Sequence, residues 1–399
     1  MRSIARPCSL AWSLYTAAQL ENRMMISIGA RASLAGNRGC RSSLRIAAVL
    51  VLAVMPAFCA DWNPRLAAQY LDSRQQQWFA WPPATASGVP CVSCHTGLPY
   101  LLARPALRQA LGETAPTLYE AVLLDGLRAT VVKTDANDLF QGVKGHLADQ
   151  VFGAQVVLST LLLAFDDTPR GVLSPEGEKA FERMWSAQIR DGRDKGSWNW
   201  SDFNLDPWET PNAAYYGAAL AALATGIAPA HYQARPEIQQ NIAALVAYLR
   251  SEAQAEPLHN RLVLLWASAK LDHLLPPAER QVVLEDVWRK QQPDGRWTLE
   301  SLGPWRGHAD APPAGGSDSY ATGLVAFTVQ QAGVLRSDPR MSRALGWLEA
   351  HQDHQSGYWA AESMNKRHEA GTMPALFMRD AATGFATLAL LPAERTAKK

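Results

Sequence analysis

The sequence predicts an all-α protein of six helical hairpins, and three observations carry that expectation. Apolar residues recur at helical spacing along almost the whole chain after residue 60, with no alternating strand pattern among them. Proline punctuates the chain at Pro64, Pro116, Pro175, Pro236, Pro277 and Pro339, and each opens an amphipathic stretch. Intervals of 41 to 62 residues mark a repeat with variable loops. Between these stretches lies a second kind of segment, apolar or small on every side, which is the signature of a buried helix. Six polar-faced helices alternating with six buried ones imply an inner ring wrapped by an outer ring. An open solenoid of helix pairs is the alternative, but the inner helices have no charged face to turn to water.

The outer helices start where proline's fixed φ and missing N–H cost least, at the first helical position. Asn63, Ser174 and Asp338 precede three of these prolines as N-caps, and Glu176 and Glu237 fall in first turns. The inner helices are read over residues 95–111, 146–165, 211–226, 260–271, 317–333 and 379–391.

Residues 1–60 read as a targeting segment. Arg38, Arg41 and Arg45 precede the apolar run "IAAVLVLAVMPAFCA", and small residues suited to cleavage fall at Ala57 and Ala60. A membrane anchor is the alternative, although the run is short for a bilayer span; Cys59 invites a lipoprotein reading. The expectation is an exported, periplasmic chain without a stable transmembrane span. Residues 61–399 then form one toroidal domain.

Cys91, Cys94 and His95 make C-x-x-C-H, and chance alone yields about 0.001 such matches in a chain of this composition. Two thiols three residues apart suit thioether bonds to one porphyrin, and the next residue supplies an imidazole to the iron. The motif therefore predicts covalent haem c with His95 as the proximal iron ligand. A Cys91–Cys94 disulfide remains open, and so does zinc, although zinc would want further paired ligands.

Lys and Arg number 38 against 37 Asp and Glu, so the chain has no basic footprint for nucleic acid. The 14 Trp suggest aromatic contacts between elements or an apolar cavity.

Three outer helices end in a Gly-x-Trp turn: Gly196 to Trp198, Gly295 to Trp297 and Gly357 to Trp359. Glutamines precede two of them, in "VWRKQQPDGRW" and "WLEAHQDHQSGYW", and two inner segments share an Asp…Thr-Gly pattern from Asp318 and Asp380. This resembles the squalene–hopene cyclase and prenyltransferase superfamily over most of residues 62–392. The resemblance implies a single (α/α)6 toroid and an apolar, terpenoid-like small molecule. The chain departs from that family in lacking the Asp-x-Asp-Asp acid of the cyclases, and the cysteines left after export build no prenyltransferase zinc site. The leading expectation is a haem protein for electron transfer, or for redox chemistry on an apolar ligand, with a redox partner protein. A cyclase-like isomerase or lyase and a haem-bearing binding scaffold are the alternatives.

Loops from outer to inner helices all emerge on one rim of such a toroid, and the C-x-x-C-H motif lies in the first of them. Distal-ligand candidates are His146 and Met378 in the flanking loops, then His308, His368 and Met373. Asp149, Asp318 and Asp380 read as N-caps or as a ring of acids over the mouth, joined by Asp202, Trp208 and Glu209. Of these, Asp318, Asp380 and Glu209 are the candidate catalytic acids.

Overall fold

A computed structural model describes residues 62–86, 89–132, 145–312, 316 and 318–391. The targeting segment therefore lies outside the described residues. Among the described residues, twelve helices of eleven or more residues alternate strictly between two rings. The outer helices are α1 (Pro64–Ala80), α3 (Leu118–Val131), α5 (Pro175–Ser186), α7 (Pro236–Glu252), α9 (Pro277–Arg289) and α11 (Pro339–Ala350). The inner helices are α2 (Gly97–Leu111), α4 (His146–Asp167), α6 (Ala213–Ile227), α8 (Leu258–Ser268), α10 (Asp318–Gln331) and α12 (Met373–Leu390). Each inner helix packs on the next, and α12 packs back on α2. The fold is a closed (α/α)6 toroid. A two-residue ribbon, β1 (Thr85–Ala86) against β2 (Val89–Pro90), precedes the C-x-x-C-H turn.

The proline signals work as expected at five of the six outer helices, where Pro64, Pro175, Pro236, Pro277 and Pro339 stand in the first turn. Asn63, Ser174 and Asp338 accept bonds from first-turn amides. Pro116 lies outside its helix: α3 begins at Leu118, capped by Thr117 in a reciprocal box with Glu120. The largest boundary correction is α12. It starts at Met373, six residues before the expected 379, because Pro374 opens it by the same first-turn device the outer helices use. Met378 and Asp380 are thus helical residues, not loop or cap residues. Among the described residues, α4 and its extension to Arg170 are long and apolar enough to cross a membrane, but most of that stretch is packed inside the toroid.

The Gly-x-Trp turns prove to be staples between successive outer helices. Gln188, Gln291 and Gln352 each donate to the carbonyl of the turn glycine (Gly196, Gly295, Gly357) and to a backbone carbonyl of the next outer helix or its cap (Asn241, Arg340, Asn63). Trp198, Trp297 and Trp359 are fully buried and donate their indole N–H back to Met184, Val287 and Leu348. Each turn glycine lies at φ between +77° and +100°. At Gly357 an added Cβ would stand 2.3 Å from the backbone of Leu66 on α1, so only glycine lets the last turn dock on the first helix. The Asp…Thr-Gly pattern serves the same staples: Thr322 and Thr383 accept the backbone N–H of Trp297 and Trp359.

A buried ion pair closes the seam between first and last hairpins. Arg74 of α1 and Asp380 of α12 meet at 2.7 Å, with side-chain exposures of 2% and 1%. A second bond from the guanidinium at 3.1 Å makes the pair bidentate, and the Tyr70 hydroxyl and Thr96 hydroxyl donate to the same carboxylate.

Candidate functional site

The C-x-x-C-H stretch forms a tight turn leading into α2. Ser93, inside the motif, caps that helix: its hydroxyl accepts the N–H groups of Thr96 and Gly97 at 3.1 and 3.2 Å. The turn places Cys94 and His95 at the bottom of a cleft of about 410 Å³, open mouth included. The opposite walls are Leu205, Asp206, Trp208 and Glu209 from the α5–α6 loop, Ser363 and Asn365 from the α11–α12 loop, and Phe377 and Met378 of α12.

These mouth loops are tied to one another. The Asn365 side chain both accepts the Asp206 N–H and donates to the Asp206 carbonyl, each at 2.8 Å. The Asp206 carboxylate accepts the Arg306 N–H of the α9–α10 loop at 3.1 Å. Below the cleft the ring axis is filled by aromatic side chains. Trp208 meets Tyr320 edge-on, Tyr320 meets Phe385, and the Tyr320 hydroxyl is paired with His259 Nε2 at 2.8 Å.

His95 is fixed on several sides. Its ring stacks on Phe377 at 3.7 Å between centroids, with Trp78 edge-on at 5.5 Å. Nδ1 lies 3.0 Å from the Thr96 hydroxyl. Burial, helped by the Arg74 charge, lowers its pKa to about 3, so the imidazole is neutral at ordinary pH. Burial pushes the Cys94 thiol up, with the Glu209 charge adding to the effect. Cys94 is a free thiol. Cys91 is also buried beside Trp78, which donates to its carbonyl.

Glu209 is the one acid of the cleft floor and walls without a tether. Its backbone is held in the turn with Leu205 by two bonds of 2.9 Å, but its carboxyl makes no hydrogen bond or ion pair among the described residues. Burial raises its pKa to about 8. Its sign for stability follows. The fold holds the Glu209 proton up to about 8, while an ordinary carboxyl near 4.5 has lost it, so stability falls as pH rises through that window. Glu209→Gln should remove this component, leaving a variant that gains on the parent above the window and not below it. Urea unfolding on both sides of the window checks this; parallel pH profiles would refute a neutral Glu209.

The structure separates the other candidates. Asp380 faces the seam, fully engaged with Arg74, Tyr70 and Thr96, and neither caps a helix nor lines the cleft. Asp318 accepts Arg296 and the Leu299 N–H, tying the second staple's loop to α10. Both carboxylates are engaged in holding the ring together, and neither lines the cleft. His146 is exposed at the start of α4, paired with Gln150, and stands outside the cleft, whereas Met378 lines it. Asp149 and Asp202 are exposed. Asn365 was not anticipated from sequence; only the meeting of loops 159 residues apart gives it a role.

The fold and site thus define a single toroid with a histidine–thiol cleft at its mouth. No protein-family model matches the chain, and no curated protein matches it. Solved structures similar in fold include two glycosidase variants, one of them in complex with glucose. They show 11% and 12% identity and TM-scores of 0.45 and 0.46, and each comparison covers 82% of this chain and 98% of the other.

Proposed function

We propose that the chain is an exported c-type haem protein with a redox role, carrying its haem at the toroid mouth. The supporting observation is the convergence of His95, Cys94 and Met378 on one cleft. His95 meets the requirement for an iron ligand: it is neutral, rigidly oriented, and its Nε2 has no protein partner among the described residues. Cys94 meets the requirement for a thioether. Cys91, three residues before it in the same turn, is the second thiol that the attachment would use. The space a water could occupy inside the cleft is only about 30 Å³, far below an ordinary ligand site, so a porphyrin requires the tied mouth loops to move outward.

Bound haem supplies reversible one-electron iron chemistry. The chain's own contribution is to hold the His95 ring between Phe377 and Trp78, to offer Met378 as a thioether donor, and to surround the site with Trp208 and Phe377, which exclude water. The redox step would serve electron transfer to a partner protein or chemistry on an apolar ligand.

Expression with export and haem-maturation machinery tests the reading. The expected product gains the mass of one haem that survives acid–acetone extraction and shows a low-spin spectrum with a weak far-red charge-transfer band. Met378→Ala should convert that spectrum to high spin while leaving the haem attached. A chain that gains no haem overturns the proposal, as does one whose haem is equally tightly held in both Cys94→Ser and His95→Ala.

Neutral Glu209 in an aromatic-walled cleft favours a second reading, acid-initiated isomerisation or elimination on an apolar terpenoid-like molecule. Turnover of such a substrate by haem-free protein, lost in Glu209→Gln, would support it over the first.

A further inference from the structure

We infer that Thr96 and Asp380 are positioning residues that hold His95 as its Nδ1–H tautomer, presenting a bare Nε2 lone pair to the cleft. The assignment follows from counting protons. Asp380 is engaged by the Arg74 guanidinium on both oxygens, at 2.7 and 3.1 Å, and accepts the Tyr70 hydroxyl at 2.9 Å. Paired in this way it is a carboxylate and can only accept. The Thr96 hydroxyl, 2.8 Å from Oδ2, must therefore donate its single hydrogen to Asp380. What Thr96 then has left for His95 Nδ1 at 3.0 Å is a lone pair, so Nδ1 carries the imidazole hydrogen. A neutral imidazole has only one such hydrogen, which leaves Nε2 bare. The stacked Phe377 and edge-on Trp78 keep the ring from rotating away from this arrangement.

The relay runs His95–Thr96–Asp380–Arg74, from the cleft to the seam where the toroid closes. It joins three helical hairpin elements: the motif turn, the first outer helix and the last inner helix. The residues that close the ring are thus the same residues that orient the ring nitrogen. An anionic acceptor at the far end of the chain also raises the electron density of the imidazole, as outer-shell partners of metal-bound histidines do. Toward haem iron that favours the oxidised state.

The inference rests on the haem reading only for this last effect, and the experiment separates the two. Histidine-selective ¹⁵N labelling of the haem-free chain, read by long-range ¹H–¹⁵N correlation, reports the His95 tautomer directly. The expected result is Nδ1–H in the parent, with His95→Ala assigning the signal. Thr96→Val should shift the tautomer ratio toward Nε2–H by about tenfold, the equivalent of one net hydrogen bond, and Thr96→Ser should restore it. In haem-loaded protein Thr96→Val should raise the midpoint potential and Thr96→Ser should return it. Because Asp380 substitutions strike the fold itself, the Thr96 variants carry the test. An Nε2–H tautomer in the parent, or a tautomer indifferent to Thr96→Val, overturns the inference. An Nδ1–H tautomer in a chain that never takes up haem upholds the relay and defeats the haem reading.

Discussion

Asp380→Ala is expected to destabilise the folded chain by about 3–5 kcal/mol, because it leaves a buried guanidinium without its counter-charge. Arg74 is 2% exposed in its side chain, so water cannot replace the lost carboxylate without opening the seam. Its remaining contacts, Gln77 and Met373, are neutral. The Tyr70 and Thr96 hydroxyls lose their shared acceptor at the same time. Replacing both partners with apolar residues, as Arg74→Met with Asp380→Leu, should recover much of the loss, since desolvation of the pair offsets most of its attraction. Urea unfolding followed by helical circular dichroism measures both. A loss below about 1 kcal/mol for Asp380→Ala would show that the seam does not depend on this pair. The expected order is parent, then double variant, then single variant.

Trp359→Ala should cost a similar amount, about 3–5 kcal/mol, for a different reason. The indole is fully buried at the same seam, beside Trp62 at 6.1 Å between ring centroids, and donates to the Leu348 carbonyl. Its removal leaves a cavity where α11, α12 and α1 meet, and the rigid staple around Gly357 limits collapse into it. Trp347 is the control. It lies on the outer helix only partly buried and stacked on His351, so Trp347→Ala should cost well under half as much. Thermal and urea unfolding of the two variants should separate clearly. Equal losses would mean that the seam packs no more tightly than the outer surface.

The two predictions share a physical logic. A toroid must close, and the contacts between its first and last hairpins join residues about 300 apart in sequence. No local signal marks such contacts, yet the chain repeats at the seam the same staple it uses elsewhere. Gln352, Gly357 and Trp359 do for the sixth and first hairpins what Gln291, Gly295 and Trp297 do for the fifth and sixth. Closure is written into the repeat.

Sequence by itself determined the helices, their alternation and the place of the motif. These depend on short-range physics: proline in first turns, capping side chains, apolar faces at helical spacing, and glycine where φ is positive. It also marked Cys94, His95, Met378 and Glu209 as residues of one rim. What only the tertiary structure decided was which of these share a space and what charge each carries. Gln188 joins the staple family although eight residues separate it from its glycine, because the distance that matters is across the turn. Met378 reaches the cleft while His146 faces solvent, since α12 begins six residues early and carries Met378 inward on its second turn. Asp380 is a structural carboxylate and Glu209 an untethered one because Arg74 arrives beside the first from the other end of the chain, whereas no countercharge among the described residues pairs with the second. Ionisation and hydrogen-bond direction depend on neighbours in space, and a linear chain does not specify those until it is folded.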